Sequence, residues 1–508
     1  MTAKQPTLAE PLAKVEIKMT DMRLASLTLI LISAVTAWSQ TESADGSAET
    51  SASDTSQITV TRICTDKDFK TKSFGPSEWL NDGDAYTTVE EVANAKVEDD
   101  EDPPKEIVKY DTAAGTREVL VSVAQLTPPG KDKPLELDNY DWSKDKTKLL
   151  IFTNTVKVWR DNTRGDYWVL DLKTGSLRQI APKAEPSTLM FAKLSPDATR
   201  VAYVRENNIY VESLINGGTI PLTIDGTKTL INGTFDWVYE EELGLQDGFR
   251  WSPDGQRIAY WQLDASVIKT FYMINNTDEN YPKLIPLPYP KVGERNSSAR
   301  IGVVSANGGS TRWMAMPGDP SENYLASLEW VADSRNLLIE QLNRLQNRRV
   351  LWRVDAATGS GTSIYTDQNK SWIDMRQKFP WYKSDSHRLV LSESDGWRHA
   401  YRVSVADGGT NKLTPGEYDV IDLIGNDKQS LYFTASPTDP IRQYLYRAPL
   451  SGGPSERLTP EDQVGFHTYN AAPNGRWAIH TYSAMGKPPV IDLVELPSHR
   501  SVRVLEDA

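Results

Sequence analysis

The chain has 508 residues, a net charge of −13 at neutral pH and a hydrophobic content of 39%. It can therefore bury a sizeable core, and its acidic balance argues against a nucleic-acid or anionic-membrane surface. The one cysteine, Cys64, excludes an intrachain disulfide framework and any cysteine-based metal cluster. The five histidines show no metal-binding spacing, so the sequence predicts neither a metal nor another cofactor.

The N-terminal segment has the pattern of a leader. A basic residue precedes the apolar run LASLTLILISAVTAW, and small residues follow near its end. We predict a secretory signal peptide over residues 1–37, with Met19 or Met22 as alternative translation starts. An uncleaved membrane anchor is the alternative interpretation. The polar residues 38–57 predict a disordered linker, and residues 58–508 a folded domain in the periplasm or outside the cell.

A repeated pattern of strand, turn and strand begins near residue 75. Units such as FRWSPDGQRIAYW and LEWVADSRNLLIE alternate with units such as YWVLDLKTGSLRQI and LWRVDAATGSGTSIY. Each unit has the turn residues of a β-hairpin. Two hairpins make one four-stranded antiparallel sheet, and about eight copies of such a repeat predict an all-β, eight-bladed β-propeller.

Tryptophans recur at one position of this repeat. Because they occupy equivalent places, we predict that they pack between blades and do not contact a ligand. The positions are Trp79, Trp142, Trp251, Trp330 and Trp381.

Three consecutive carboxylates, Glu240–Glu242, follow an aromatic stretch in the segment FDWVYEEELGLQDGFRWSPDG. An acidic run usually forms a solvated face. Here it comes directly before the first strand of a blade, where loops project toward the central funnel. Carboxylates held together raise one another's pKa, and a cation such as the free ammonium of a peptide would relieve that repulsion. Both interpretations stay open on the residues alone.

Several segments in order resemble the dipeptidyl peptidase IV family of the prolyl oligopeptidase superfamily. They are VKVWRDNTRGDYWVLDL, DWVYEEE, WSPDG, YPKLIPLPYPKVG and DGWRHAYRVS, and the resemblance runs from about residue 60 to the C-terminus. It implies an extracytoplasmic serine peptidase that removes dipeptides with proline or alanine in the second position. It also implies a propeller joined to an α/β-hydrolase domain.

The resemblance assigns roles to individual residues. By motif match, Glu241 and Glu242 anchor the free amine of the substrate, and Arg160 orients the substrate carbonyls. Three neighbouring residues are assigned supporting positions: Glu240, Tyr239 and Asp236.

Residues 263–290 are predicted to be an insertion between blade strands. In the family an equivalent extension reaches a second subunit, which implies a homodimer. The apolar run VIKTFYMI fits an ordinary blade strand equally well.

The catalytic half of such a peptidase is missing from the sequence. We find no G-x-S-x-G nucleophile elbow and no alternation of strands and helices. We therefore expect no catalytic residues in this chain and no peptidase activity from it alone, with the hydrolase domain truncated, disrupted or encoded separately. The alternative is a non-catalytic extracytoplasmic propeller that binds peptides or proteins.

Overall fold

The computed structural model describes residues 57–65, 68–69, 74–92, 95, 103–375 and 386–507. The predicted signal peptide and almost all of the predicted linker lie outside these residues, so they stay predictions, as does the domain start at residue 58. The chain divides into two units after Lys70. In the first unit the described element is a π-helix, Thr61–Thr65, which carries the exposed Cys64. Within the described ranges, every helix is too short or too polar to cross a membrane.

The second unit is built almost entirely from antiparallel sheets arranged in chain order. The first three groups of strands are β1 (Ser77–Leu80), β2 (Ala85–Glu91), β3 (Lys105–Asp111) and β4 (Arg117–Val121); β5 (Asn139–Trp142), β6 (Lys148–Val158), β7 (Asp161–Asp171) and β8 (Ser176–Gln179); and β9 (Leu189–Leu194), β10 (Arg200–Arg205), β11 (Asn208–Ser213) and β12 (Thr219–Pro221).

The fourth group contains an inserted hairpin. Its strands are β13 (Leu230–Asn232), β14 (Phe249–Trp251) and β15 (Arg257–Asp264), then the hairpin strands β16 (Thr270–Asn275) and β17 (Lys283–Pro288), then β18 (Ser298–Ser305) and β19 (Arg312–Trp313). The strands β16 and β17 pair only with each other and form a separate two-stranded sheet.

Four further groups complete the described strands. They are β20 (Asn323–Trp330), β21 (Asn336–Asn343), β22 (Arg348–Asp355) and β23 (Gly361–Gln368); β24 (His387–Ser392), β25 (His399–Ser404) and β26 (Thr410–Lys412); β27 (Val420–Asn426), β28 (Ser430–Ala435), β29 (Tyr444–Pro449) and β30 (Glu456–Arg457); and β31 (Phe466–Ala471), β32 (Trp477–Ala484), β33 (Lys487–Glu495) and β34 (Arg500–Asp507). Short helices interrupt the strands at Asn81–Gly83, α1 (Val123–Leu126) and α2 (Trp237–Leu243).

These eight groups are the blades of a propeller, which confirms the predicted fold class. The second and third blades share one eight-stranded sheet, because β7 also pairs with β9 through Arg164 opposite Met190. The sixth blade has three strands within the described residues, and the ten residues before it are not described. Within the parts of the chain that are described, the α-helices are α1 and α2, so no hydrolase domain is present there.

The first and last blades meet and close the ring. The indole Nε1 of Trp79 on β1 donates to Asn470 Oδ1 on β31 at 3.1 Å. Trp79 also packs against a buried cluster of the last blade that contains Trp477 and Leu493. These side-chain contacts join the two ends of the propeller.

The repeat tryptophans join successive blades in the same way, as predicted. Each indole N–H donates to the preceding blade: Trp142 to Thr87 Oγ1 at 3.3 Å, Trp251 to the carbonyl of Lys193 at 3.2 Å, and Trp330 to the carbonyl of Arg250 at 3.2 Å. Trp381 lies outside the described residues.

The polar residues that recur after each tryptophan form the turn between two strands of a blade. In the fourth blade Ser252 Oγ donates to Asp254 Oδ1 at 2.5 Å and accepts from the amide of Arg257 at 2.9 Å. Gly255 takes a positive φ of 68° at the tightest point, where a side chain would be strained. The serine, aspartate and glycine of WSPDG are therefore needed to reverse the chain between β14 and β15.

Candidate functional site

The three glutamates lie on the helix α2, directly before β14. The helix begins at Asp236, whose side chain caps it by accepting from the amide of Tyr239 at 3.1 Å. It ends at Gly244, which adopts the left-handed conformation with φ 65° and donates its amide to the carbonyl of Glu240 at 3.1 Å. The cap and the glycine fix a helix of two turns.

One face of α2 is held in the core between the fourth and fifth blades. Tyr239 is 2% exposed, and its hydroxyl accepts from the amide of Leu325 at 3.1 Å. The ring of Phe235 stacks on that of Tyr239 with centroids 5.5 Å apart and also meets Trp261 edge-on. This aromatic anchor turns the opposite face of the helix, with its carboxylates, away from the core.

Asp236 supports the start of the helix from a buried position. Ser297 donates its hydroxyl to the second carboxylate oxygen of Asp236. Burial raises the pKa of Asp236, because the loss of hydration outweighs the hydrogen bonds from Ser297 and Tyr239. The predicted supporting residues Asp236 and Tyr239 thus lie where they can hold the helix in place.

Arg160 meets Glu241 although the two residues are far apart in sequence. Arg160 lies in the turn between β6 and β7, and its Nη2 is 2.9 Å from Glu241 Oε2. The arginine side chain is 79% exposed and the glutamate side chain 19%. An ion pair with one partner in water contributes little to stability, so the guanidinium can adjust to a ligand at small cost.

A cavity of about 860 Å³ opens beside this pair. Arg160, Glu241 and Glu242 all line its wall, so the structure brings together the three residues that the sequence predicted to bind substrate. The volume lies within the usual range for small-ligand sites.

The cavity wall carries four further charged side chains besides the carboxylate of Glu242. Arg250 donates to Asp247 at 3.0 Å, and Arg388 forms two bonds with Glu329 at 2.7 and 2.9 Å. The side chain of Glu242 is exposed, and among the described residues no basic side chain lies within ion-pair distance of it. A cationic ligand would therefore find its least compensated negative charge at Glu242.

Glu240 points away from this cavity and has a different set of contacts. The amide of Gln246 donates to Glu240 Oε1 at 3.2 Å and to Asp161 Oδ2 at 2.8 Å. Burial raises the pKa of Glu240, and the nearby carboxylates of Glu241 and Asp161 raise it further. The expected mutual repulsion of neighbouring carboxylates is thus present at the first glutamate.

The profile of a known family covers this whole region. The family described as "Dipeptidyl peptidase IV (DPP IV) N-terminal region" matches residues 143–489, which include Arg160, α2 and the cavity wall. The chain belongs to this family. The resemblance predicted from the motifs is therefore confirmed for the dipeptidyl peptidase IV N-terminal region.

Individual relatives agree with the family match. A probable dipeptidyl peptidase 4 of Aspergillus fumigatus is 27% identical over 344 residues, covering 65% of this chain and 45% of the relative. The inactive dipeptidyl peptidase 10 of Mus musculus is also 27% identical, over 328 residues that cover 61% of this chain and 41% of the relative. The chain thus spans less than half the length of these curated relatives.

A solved structure is similar throughout most of the chain. The crystal structure of Porphyromonas gingivalis dipeptidyl peptidase 4 superimposes with a TM-score of 0.79 at 26% identity. The match covers 89% of this chain and 62% of the solved one. The dipeptidyl peptidase IV fold therefore extends through nearly all of the described propeller.

The hairpin of β16 and β17 resolves the two interpretations of residues 263–290. It is inserted between β15 and β18, which pair directly with each other from Arg257 opposite Ser305 to Asp264 opposite Ser298. Residues 265–290 are therefore an insertion and not a blade strand, whereas residues 263–264 still belong to the blade strand β15. Its base contacts the helix of the site, because Tyr289 packs on Trp237, the first residue of α2, with centroids 4.2 Å apart.

Several residues of the site were not singled out from the sequence: Gln246 and Asp161, and the charged wall residues Asp247, Arg250, Glu329 and Arg388. Gln246 and Asp161 had no motif that marked them, and their one signal was proximity to α2 and to Arg160 along the chain. Only the folded register shows that the side chain of Gln246 reaches both.

Proposed function

We propose that this chain is the substrate-anchoring propeller of a dipeptidyl peptidase IV-like serine peptidase. Glu241 and Glu242 would bind the free N-terminal amine of a peptide, and the complete enzyme would release Xaa-Pro or Xaa-Ala dipeptides. The observation that carries the proposal is the shared cavity wall of Glu241 and Glu242, with Arg160 paired to the first and, within the part of the chain that the structure describes, no basic side chain paired to the second.

The charge balance of this wall favours an ammonium group. Arg160 offsets one carboxylate, so Glu241 and Glu242 keep one net negative charge. An ammonium has three donors and can satisfy both carboxylates with charge-assisted hydrogen bonds. Arg160 also has further N–H donors beyond the one facing Glu241, in a planar fork suited to substrate carbonyls.

The reaction itself would require a second component. The sequence contains no G-x-S-x-G elbow, and acyl transfer needs a nucleophile, a base and an oxyanion hole. We propose that an α/β-hydrolase domain outside this sequence supplies them. The propeller alone would then bind peptides weakly, with a Kd on the order of 1 mM, because the site lacks its second wall.

A comparison of free and blocked peptides tests the anchor. Ala-Pro-Gly-Gly amide and its N-acetylated form would be titrated against the full chain by ligand-observed NMR. We expect the free-amine peptide to bind about tenfold more tightly, since acetylation removes the charge and two donors. Equal affinity of the two peptides would refute an amine anchor at this cavity.

A second candidate is a non-catalytic propeller that binds peptides without cleaving them. It is favoured by one observation: a curated relative at 27% identity is described as inactive. The two candidates differ in whether bound peptide is cleaved. Co-expressing the chain with any hydrolase reading frame that follows its gene, and assaying dipeptide release, distinguishes them; release supports the first candidate and its absence the second.

We further propose that the hairpin of β16 and β17 joins two copies of the chain in a homodimer. Its apolar side chains are largely exposed, with Ile274 at 62% and Leu284 at 65%, directly opposite each other. A two-stranded hairpin is barely stable alone, and exposed apolar patches of this kind mark protein interfaces. A second subunit would bury them.

The oligomeric state tests this interface. We expect a dimer in sedimentation velocity runs at micromolar concentration and a monomer after the double change Ile274→Asp and Leu284→Asp, because burying two carboxylates is costly. Ile215→Asp, at an exposed turn of the third blade, is the matched control and should stay dimeric. A monomeric unmodified chain would rule the interface out.

We also propose an extracytoplasmic location, from the signal peptide predicted over residues 1–37. Mass spectrometry of the mature N-terminus in cell fractions tests it. A chain that starts near residue 38 in the periplasm or medium is expected, and a full-length cytoplasmic chain would contradict it.

A further inference from the structure

Gln246 connects the two segments that carry the candidate anchoring residues. Its Nε2 donates to Asp161 Oδ2 at 2.8 Å and to Glu240 Oε1 at 3.2 Å. Asp161 is the first residue of β7 and directly follows Arg160, whereas Glu240 lies on α2 and directly precedes Glu241. One neutral amide therefore bridges carboxylates from two different blades.

The same two segments are joined a second time by the ion pair of Arg160 and Glu241 at 2.9 Å. The ion pair and the Gln246 bridge therefore involve adjacent residues on each side: Arg160 and Asp161 on one segment, and Glu240 and Glu241 on the helix. The ion pair alone is weak, because Arg160 is mostly in water. The Gln246 bridge gives the exposed turn a second, neutral attachment, whose bond to Glu240 is partly buried and whose bond to Asp161 is exposed.

An amide suits this place for an electrostatic reason. Asp161 and Glu240 have the same charge, and Asp161 is one of the groups that raise the pKa of Glu240. The NH₂ group of glutamine has two donors, one for each carboxylate. A basic side chain would compete with Arg160 for Glu241, and an acidic one would add to the repulsion.

We propose that Gln246 is a positioning residue of this site: by bridging Glu240 and Asp161, it holds the turn of Arg160 against the helix of Glu241 and Glu242. The inference rests on the proposed amine anchor for its effect on ligand binding. In this proposal Glu240 has a separate role, because it accepts the Gln246 hydrogen bond on the side of the helix.

The change Gln246→Leu removes the amide at nearly constant volume, and two measurements follow its effect. Hydrogen exchange of the turn segment, residues 156–164, should become about tenfold faster while exchange in other blades stays unchanged. The affinity for Ala-Pro-Gly-Gly amide should fall about three- to tenfold at pH 8. Gln256→Leu, an exposed glutamine in a turn of the same blade, is the matched control and should change neither.

The pH dependence separates positioning from a purely structural role. In Q246L the carboxylates of Glu240 and Asp161 face each other without a donor. Because the pKa of Glu240 is raised, lowering the pH protonates Glu240 more readily than an ordinary glutamate and relieves that repulsion. Q246L should therefore accelerate hydrogen exchange of residues 156–164, relative to wild type at the same pH, less at pH 5 than at pH 8. The added change Glu240→Gln should reduce this acceleration at pH 8 in the same way.

The outcomes are distinguishable from those of the proposed function. Unchanged exchange of residues 156–164 in Q246L overturns the bridge, whatever the peptide does. Faster exchange throughout the chain, with no pH dependence, also overturns it, because Gln246 would then support only the fold. If wild type binds free and acetylated peptides equally, the amine anchor fails, and turn exchange still decides the role of Gln246.

Discussion

Acidification from pH 7 to pH 4.5 is expected to destabilise the last blade, and replacing His467 should remove part of that sensitivity. His467 Nδ1 lies 2.8 Å from His480 Nε2, and His480 Nδ1 lies 2.7 Å from Asp492 Oδ1. These three residues stand on β31, β32 and β33, so the hydrogen-bonded chain crosses most of the blade. His499 joins the cluster through the hydroxyl of Tyr469 at 2.8 Å.

Two histidines of this cluster, His467 and His499, are held in their neutral form by their surroundings. Burial and, to a smaller extent, the proximity of His480 lower the pKa of both His467 and His499 to about 4. Arg457 of the preceding blade also disfavours a proton on His467. Burial alone would raise the pKa of Asp492, but hydrogen bonds from His480 and Ser501 outweigh it and lower the value.

The sign of the effect follows from the proton balance. In the unfolded chain both histidines take up protons near pH 6.5, whereas in the folded chain they do so only near pH 4. The folded state therefore binds fewer protons in this window, and stability falls as pH falls from 6.5 to 4. Each histidine can contribute a loss of up to about 3 kcal/mol over that range.

Urea unfolding at pH 7.5, 6.5, 5.5 and 4.5 measures how the free energy of unfolding depends on pH. Carboxylates with raised pKa values, such as Asp236 and Glu240, act in the opposite direction, so the informative quantity is the difference between wild type and variant. His467→Gln should flatten the decline by up to about 1.4 kcal/mol per pH unit. His387→Gln, at a partly exposed position of β24, is the control and should change the slope much less. Parallel curves for wild type and H467Q would contradict the expectation.

The fold could be predicted from the sequence because its determinants are local and repeated. The Trp-Ser-Pro-Asp-Gly turn specifies a hairpin wherever it occurs, and the tryptophan of each copy reaches the blade before it. The assignment of Arg160 to the same site as Glu241 depended on the family resemblance, since 80 residues separate them in the chain. Their ion pair agrees with that assignment.

Other features depend on register between strands, which no single segment encodes. The alternating apolar residues of β16 and β17 fit a blade strand or an insertion equally well, and only the direct pairing of β15 with β18 decides. The histidines at 467, 480 and 499 show no regular spacing, yet the strands β31 and β32 and the turn before β34 bring them together. Gln246 is likewise ordinary in sequence and gains its contacts only when β7 and α2 meet.

Substituting Glu241 and Glu242, the proposed amine anchor, should give the largest change in ligand binding. In the unmodified chain Arg160, Glu241 and Glu242 sum to one negative charge, which an ammonium neutralises. Glu242→Gln brings the sum to zero before ligand binds, so we expect the affinity for Ala-Pro-Gly-Gly amide to fall about tenfold or more. The affinity for the acetylated peptide should change little, because that peptide has no charge at its N-terminus.

Glu241→Gln should weaken binding at least as much as E242Q, for an additional reason. It removes a carboxylate and also leaves Arg160 without its partner at 2.9 Å, so a guanidinium then faces the incoming ammonium. The double change of Glu241 and Glu242 to glutamine leaves a net positive wall, and the preference for a free amine over an acetylated one should disappear.

Glu240→Gln is the matched control, because it removes the same charge from the same helix at a residue that does not itself line the cavity. Its amide oxygen can still accept from Gln246, so binding should stay within about twofold of wild type. If E240Q weakened binding as much as E242Q, the effect would reflect the total charge of α2 and not a specific anchor. If E242Q and E241Q were both silent while acetylation still mattered, the amine would bind elsewhere. A loss confined to the second and third glutamates therefore tests the geometry of the site and not only its charge.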